Sequence, residues 1–350
     1  MTLARRHQFD PGSPPWVHAI SRCVRRAFLA GDRYEHRKSW VAERLRLLAG
    51  VFAVEVAGFS VMSNHLHLVV RMLPGRAAGW SDDEVVRRWW TAYPVKFLAD
   101  GTGILPDEAQ IRQQAGDAAW VAVRRQRLGD LGWLMKALKE NISRRANRED
   151  QCSGAFWEGR YVSVPLLDQA ALTACMAYVD LNPVRAKVAA TPEDSDFTSV
   201  QTRIRARDRA VKAARLQATA TTPAQLERAR RMLVRVGLSP TATGPEDGLW
   251  LTPVASCGES GLSLDDYLSL VDATGKTLAT GKRGRIDPRL APILARLDLR
   301  VEDWLASMLG WRMFAGVGAL GSWAVRRVEA ARRGVAWIRT RCPLFAMRAA

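Results

Sequence analysis

Two apolar segments joined by a two-residue turn most constrain how this chain can fold. Residues 52–62 are rich in Val, Ala and Phe and predict one strand. The turn-prone pair Ser63-Asn64 follows, and residues 65–70, His-Leu-His-Leu-Val-Val, predict a second strand. A turn this short joins antiparallel neighbours. The sequence therefore predicts a β-hairpin within an antiparallel sheet.

Alternation along the second strand sorts its side chains between two faces. In a strand, every second side chain points to the same side, so His65 and His67 project together. Leu66, Leu68 and Val70 then face a core on the opposite side. Two imidazoles on one face of a strand are a partial ligand set for a divalent metal ion. Two half-exposed strand histidines that bind nothing explain the pair equally well.

The hairpin lies within a longer order of predicted elements. These are a strand at 16–24, a helix at 38–49, the hairpin, short inserted helices at about 76–128, a helix at 130–147, a strand at 156–164 and a helix at 169–182. Pro165 is expected to end the last strand, and Asn182-Pro183 the last helix. This order predicts an α+β fold, an antiparallel sheet with helices packed on it, broadly ferredoxin-like.

The rest of the chain is basic and mostly helical in pattern. We expect a first unit at residues 1–203, a basic helical linker at 204–248 and a helical C-terminal region at 249–350. A solvated helix explains the basic run at 202–215 as well as DNA contact does. For the C-terminal region, with its basic glycine loop at 281–285, we hypothesise added DNA affinity or hairpin specificity.

The charge balance indicates a polyanionic partner. The chain has 52 Lys and Arg against 35 Asp and Glu, a net charge of +17. Such an excess is typical of nucleic-acid-binding proteins. A coding bias towards Arg explains Arg in place of Lys, but not the excess of basic over acidic residues. The candidate phosphate-binding side chains are Arg22, Arg25, Arg26, Arg160 and Arg185.

Cysteine usage and hydropathy exclude several protein classes. The five Cys are far apart and form no CxxC pair, which argues against a disulfide framework and a zinc ribbon. No stretch reaches the roughly 18 apolar residues of a membrane span. Residues 1–15 lack the apolar core of a signal peptide. We therefore expect a cytoplasmic protein without a membrane partner.

A tyrosine and an amide in the last predicted helix could complete the histidine pair. Tyr178 and Asn182 are four residues apart and would share one helix face. A phenol near a metal ion could attack a phosphodiester. The Asn182 amide oxygen could be a third ligand, and carbonyl with imidazole ligands suits Mg²⁺ or Mn²⁺. A packed aromatic and a helix C-cap explain the same two residues.

Several segments resemble one family of enzymes. SNHLHLVV (residues 63–70) resembles the HUH motif of single-tyrosine transposases, in which a bulky apolar residue separates two histidines. FWEGRY (156–161) and AYVDLNPVRA (177–186) resemble the second signature of the REP-associated tyrosine transposase branch. SRCVRRAFL (21–29) is similar to the opening strand of one bacterial group in it. The segments follow the family's order over about residues 14–203.

The resemblance implies a magnesium-dependent DNA nuclease and strand transferase acting on single-stranded DNA, usually at hairpin-flanked ends. By this likeness His65 and His67 match the metal ligands. Tyr178 matches the nucleophile that forms a 5′-phosphotyrosine link and releases a 3′ hydroxyl. Asn182 stands where the family often has Gln. Tyr161 is the alternative nucleophile, ranked lower because it is outside the matching helix.

Two further functions remain open at this stage. One is an endonuclease of the same type that nicks DNA without moving itself. The other is a DNA-binding regulator with an inactive site. The presence of His65, His67 and Tyr178 together favours the enzymes over the regulator. A monomer and a homodimer are both compatible with the sequence.

Overall fold

The computed structural model describes residues 14–97, 103–242, 244–258, 261–280, 289–297, 299–309, 318–340 and 342–345. Its strands are β1 Trp16–Arg22, β2 Val54–Val61, β3 His65–Met72, β4 Lys96–Phe97, β5 Gly103–Ile104 and β6 Val162–Leu166. Its helices are α1 Arg37–Val51, α2 Pro74–Ala78, α3 Asp82–Ala92, α4 Glu108–Ala115, α5 Ala118–Leu128, α6 Leu131–Glu149, α7 Gln169–Asp180, α8 Asn182–Arg185, α9 Ser199–Ala218, α10 Pro223–Val234, α11 Leu264–Thr280, α12 Leu290–Ala295, α13 Val301–Leu309 and α14 Trp323–Arg332.

Four strands form one antiparallel sheet in the order β2-β3-β1-β6. The predicted hairpin is β2–β3, and the Met62 amide closes its turn by donating to the His65 carbonyl over 2.8 Å. In the pairing of β1 with β3, Arg22 lies opposite His65 and Ile20 lies opposite His67. The predicted α+β class, an antiparallel sheet with helices packed on it, is confirmed.

One face of the sheet packs against α1 and α6. The α1 side chains Val41, Leu45 and Leu48 recur every three or four residues and are buried, as the helical period requires. They share a core with Leu66 and Leu68. Each fully buried side chain of this size contributes about 2 kcal/mol to folding. The sequence pattern correctly assigned both strand leucines to this face.

The other face of the sheet packs against α7. Asp168 caps this helix, its Oδ1 accepting a hydrogen bond from the Ala171 amide over 2.8 Å. Every residue from Ala171 to Asp180 is buried, because α7 has the sheet on one side and α11 on the other. A helix that is apolar all round is typical of such a central position.

The prediction for the strand at residues 156–164 was partly wrong. The strand is Val162–Leu166, and Pro165 lies inside it instead of ending it. β6 is an edge strand, where the missing N–H of a proline is tolerated. Phe156 and Tyr161 lie in the core beside α1 and α6.

The predicted helical insertion is present as α2 to α5, with the short β4–β5 pair inside it. Its two ends meet at one residue. The Leu73 amide donates to the Ala53 carbonyl over 2.8 Å, and the Ala53 amide donates to the Leu128 carbonyl over 2.9 Å. Trp89 is buried in the core, so this aromatic side chain of the insertion has a structural role.

The basic run at 202–215 belongs to α9, which packs on β2. The Arg203 guanidinium is buried, donates to the carbonyls of Ala57 and Thr252 over 2.9 Å each, and pairs with Glu246 at 3.1 Å. This arginine is therefore structural. The predicted boundary between residues 203 and 204 falls inside α9, so no break in secondary structure marks it.

The described part of residues 249–350 is mostly helical, as predicted. Tyr267 of α11 and Trp304 of α13 are fully buried in the same core as α7. The predicted glycine loop at 281–285 lies outside the described residues. Within the described ranges, no helix combines the length and apolar character needed to span a membrane.

Candidate metal and tyrosine site

A cleft of about 350 Å³ lies at the end of the sheet where β1 ends and β3 begins. It is lined by Ile20, Arg22, Arg26, Asn64, His65, His67, Tyr178, Asn182, Arg185 and Ala186. Seven of the nine residues predicted for the site are in this set. The fold thus brings the hairpin histidines together with residues of α7 and α8, which are distant in the chain.

His65 opens β3 and is held from behind by its neighbour. Its Nδ1 lies 2.6 Å from Asn64 Oδ1, and Asn64 Nδ2 donates to the Arg26 carbonyl over 3.0 Å. Because a carbonyl only accepts, the amide nitrogen must face Arg26 and the amide oxygen must face the imidazole. His65 therefore carries its proton on Nδ1, and the lone pair of Nε2 is left for a ligand.

His67 is more deeply buried than His65 and contacts a histidine that we did not predict. His18 of β1 is fully buried, and its Nε2 lies 2.8 Å from His67 Nδ1. The two rings are stacked with centroids 5.0 Å apart. A signal for His18 was present in the sequence, because it has the same strand parity as Ile20 and Arg22. The pairing of β1 with β3 that makes it a neighbour of His67 was not readable from the sequence.

The pKa values of all three imidazoles lie well below the ordinary value. Burial lowers the pKa of His18 to about 3, with a smaller contribution from the charge of His65. Burial, followed by the charge of Arg22, lowers the pKa of His65 to about 4. Burial first and His18 second lower the pKa of His67 in the same direction. The rings are therefore neutral at neutral pH, the form that binds metal ions.

Tyr178 faces the histidines from the last turn of α7. Its ring centroid lies 6.0 Å from that of His67 and 6.3 Å from that of His18, both edge to face. The guanidinium of Arg185 lies over the ring, 4.3 Å from its centroid. The side chain is 7% exposed, enough to line the cleft. Tyr161, the lower-ranked nucleophile, is buried in the core on the other face of the sheet.

Asn182 also lines the cleft, but not as part of the tyrosine's helix. α7 ends at Asp180, Leu181 is its C-cap, and Asn182 begins the short α8. The predicted helix end near Asn182-Pro183 is thus confirmed within two residues, and the expected shared helix face is replaced by a shared cleft. Asn182 is 8% exposed, and its amide is the candidate third ligand.

Of the five predicted phosphate-binding arginines, Arg22, Arg26 and Arg185 line the cleft. Arg25 and Arg160 are exposed and are not among the lining residues. Arg25 and Arg26 both have left-handed backbone conformations, with φ of 53° and 55°. Such strain is uncommon outside glycine and is concentrated at functional sites. Only the second of this strained pair reaches the cleft.

The chemistry of the cleft is compatible with a divalent metal ion. In the described part of the chain, no group of three or more His, Cys, Asp and Glu side chains is placed to hold a metal. The ligands here would be His65, His67 and the Asn182 amide. Both imidazoles have Nδ1 engaged by a protein partner, which is the usual arrangement behind a metal-binding Nε2.

Comparison of the chain with models of protein families, with curated proteins and with solved structures found no match. What the cleft does must therefore be inferred from its own residues.

Proposed function

We propose that this protein is a metal-dependent tyrosine DNA transposase, which cleaves and rejoins single-stranded DNA through a 5′-phosphotyrosine intermediate. One observation carries the proposal. The Tyr178 ring lies 6.0 Å from His67 inside a cleft lined by three arginines. A phenol, two neutral imidazoles and a cationic rim together suit the cleavage of a phosphodiester.

The topology of the sheet supports the same family. The elements β1, α1, β2, β3, α6 and β6 follow one another as β-α-β-β-α-β, and the strands lie in the order β2-β3-β1-β6. This order supports the ferredoxin-like fold that we propose, on which HUH enzymes are built. The two histidines are on a central strand, and the tyrosine helix covers the face opposite to α1 and α6.

The residues of the cleft divide the reaction between them. Arg22, Arg26 and Arg185 bind the phosphates of the strand and orient the scissile one. The Tyr178 oxygen attacks phosphorus and loses its proton to water, the bond to the 3′ oxygen breaks, and that oxygen takes up a proton from water to leave as a free 3′ hydroxyl. In the reverse step, a 3′ hydroxyl attacks the phosphotyrosine and Tyr178 leaves, so no nucleotide cofactor is needed.

A divalent cation, Mg²⁺ or Mn²⁺, held by His65, His67 and Asn182, would polarise the phosphate oxygens and stabilise the departing 3′ oxygen. The neutral state of both imidazoles supports this role.

A covalent adduct tests the proposal directly. The protein is incubated with end-labelled single-stranded hairpin DNA and Mg²⁺ or Mn²⁺, and the products are separated on a denaturing gel. We expect an adduct that disappears with Tyr178→Phe and with EDTA. Tyr161→Phe is the matched control and should leave the adduct in place. An adduct that survives Tyr178→Phe but not Tyr161→Phe would overturn the assignment of the nucleophile.

The same assay separates the remaining functions. A transposase joins the 3′ hydroxyl of a second strand to the phosphotyrosine, whereas an enzyme that only nicks leaves the adduct unresolved. A regulator binds the hairpin without forming an adduct, and Tyr178→Phe leaves its affinity unchanged.

A further inference from the structure

His18 lies within β1 and is fully buried. It is absent from the lining of the cleft, so it does not meet DNA. Its Nε2 already contacts His67 Nδ1 at 2.8 Å, so this nitrogen is not available to a metal ion. A role other than metal binding must therefore explain the buried imidazole of His18.

The contact between the two histidines can exist in two forms. At 2.8 Å the two ring nitrogens share one proton, which belongs to either His18 Nε2 or His67 Nδ1. If His18 donates, His67 must carry its own proton on Nε2, where it blocks coordination. If His67 Nδ1 donates, His67 Nε2 has a free lone pair. Only the second form allows His67 to bind a metal ion from the cleft.

At His65, a protein partner fixes the position of the imidazole proton. There the amide of Asn64 is oriented by its bond to the Arg26 carbonyl, and its oxygen must accept from His65 Nδ1. The two candidate ligands, His65 and His67, thus each have a protein partner at Nδ1. A partner at this position orients a metal-binding imidazole and increases its basicity.

We infer that His18 is a positioning residue, which accepts a hydrogen bond from His67 Nδ1 and holds His67 in the tautomer that binds the metal ion. This role rests on the proposed metal site. His18 also lies beside the proposed nucleophile. Its ring packs edge to face against that of Tyr178, with centroids 6.3 Å apart.

Metal binding without DNA tests the inference, measured as free Mn²⁺ by electron paramagnetic resonance at pH 7.5. His18→Leu keeps the site apolar but removes the acceptor, and we expect its Mn²⁺ dissociation constant to rise about 10- to 100-fold. His18→Gln offers an amide oxygen as acceptor and should stay within about threefold of the wild type. His67→Ala serves as the reference, because it gives the Mn²⁺ affinity of a site that lacks the His67 imidazole.

The tautomer of His67 is a second readout, which needs no substitution at His18. In metal-free wild-type protein labelled with ¹⁵N-histidine, we expect the proton of His67 on Nδ1, and on the same atom after Mg²⁺ is added. Assignment uses the signal that is lost in His67→Ala. A proton on Nε2 would overturn the inference even if His18→Leu failed to fold.

Failure of this inference and failure of the proposed function give different results. If the wild type binds Mn²⁺ and forms the adduct, but His18→Leu binds Mn²⁺ equally well, only the role of His18 is wrong. If the wild type neither retains Mn²⁺ nor forms an adduct, the metal site is wrong and the role of His18 falls with it.

Discussion

At the scale of single residues, burial prepares the site before any ligand arrives. An ordinary histidine near pH 6.5 is partly protonated, and a metal ion must then compete with protons. Here burial lowers the pKa of His65 to about 4 and holds that of His67 well below its usual value. The two candidate ligands are therefore neutral over the whole physiological range, and metal affinity should change little between pH 8 and pH 6.

The buried imidazole of His18 should make folding sensitive to acid. Its pKa is about 3 in the folded protein and about 6.5 in an unfolded chain. Between these values the unfolded state binds more protons, so stability is lost as pH falls. From pH 7 to pH 4 we expect His18 alone to remove about 3 kcal/mol from the free energy of unfolding. Urea denaturation at both pH values measures it.

His18→Gln is the comparison for this prediction, because the carboxylates that also titrate in this range are the same in both proteins. The variant should lose clearly less stability between pH 7 and pH 4 than the wild type. Equal losses would show that His18 is protonated in the folded state at pH 4.

Two adjacent arginines offer a matched test of DNA contact. Arg25 and Arg26 are both exposed and share the same left-handed strain, but only Arg26 lines the cleft. Arg26→Ala should weaken binding of single-stranded DNA about tenfold and reduce the slope of log K against log salt by about 1. Arg25→Ala should change neither by a comparable amount. Fluorescence anisotropy across a salt series gives both numbers, and equal effects would contradict the assignment.

At the scale of elements, α7 is fixed on both sides by buried contacts. Tyr267 of α11 donates to Asp180 Oδ2 over 2.6 Å, and the Val200 amide donates to Oδ1 over 2.9 Å. Burial raises the pKa of Asp180, while the charge of Arg203 acts against that rise. The carboxylate thus ties α7 to α9 and α11 two residues after Tyr178.

Removing one hydroxyl tests this connection. Tyr267→Phe should lower the free energy of unfolding by about 1–3 kcal/mol, because it leaves a buried carboxyl oxygen of Asp180 without this donor. Tyr34→Phe is the matched control, since the Tyr34 hydroxyl accepts a hydrogen bond from Arg33 at the surface, and it should change stability by less than about 0.5 kcal/mol. Urea denaturation compares them, and equal losses would show that the connection is dispensable.

The elements that could be predicted are those specified by local periodicity. The hairpin, α1, α6 and α7 follow from the spacing of their apolar residues and from caps such as Asp168. The position of β6 could not be predicted, because Pro165 is acceptable only in a strand at the edge of the sheet. His18 was missed for a related reason. Its role depends on the register between β1 and β3, which is a long-range property of the sheet.

At the scale of the whole molecule, a single chain brings the four candidate residues to one place. His65 and His67 come from the hairpin, Tyr178 and Asn182 come from α7 and α8, and all four line one cleft. The C-terminal region packs against α7 through α11 and α13, so its deletion would expose the side of α7 that these helices cover. Such a deletion tests folding before it tests DNA binding.

A mixing experiment follows from this arrangement. His67→Ala retains the tyrosine, and Tyr178→Phe retains both histidines. We expect an equimolar mixture of the two variants to form no adduct above that of either alone, because each chain builds its site from its own residues. Restored activity in the mixture would show that chains exchange α7 and form the site between them. Wild-type protein mixed with either variant is the control, because it shows how much adduct forms when the active protein is only diluted.

The insertion has its own consequence for how such a protein can change over time. The insertion begins after Leu73 and ends at Leu128, and the backbones of both residues bond to that of Ala53. Residues added to or removed from the insertion leave the hairpin and α7 in the same positions in space. Evolution, or a protein engineer, can therefore add residues there while the cleft keeps its geometry.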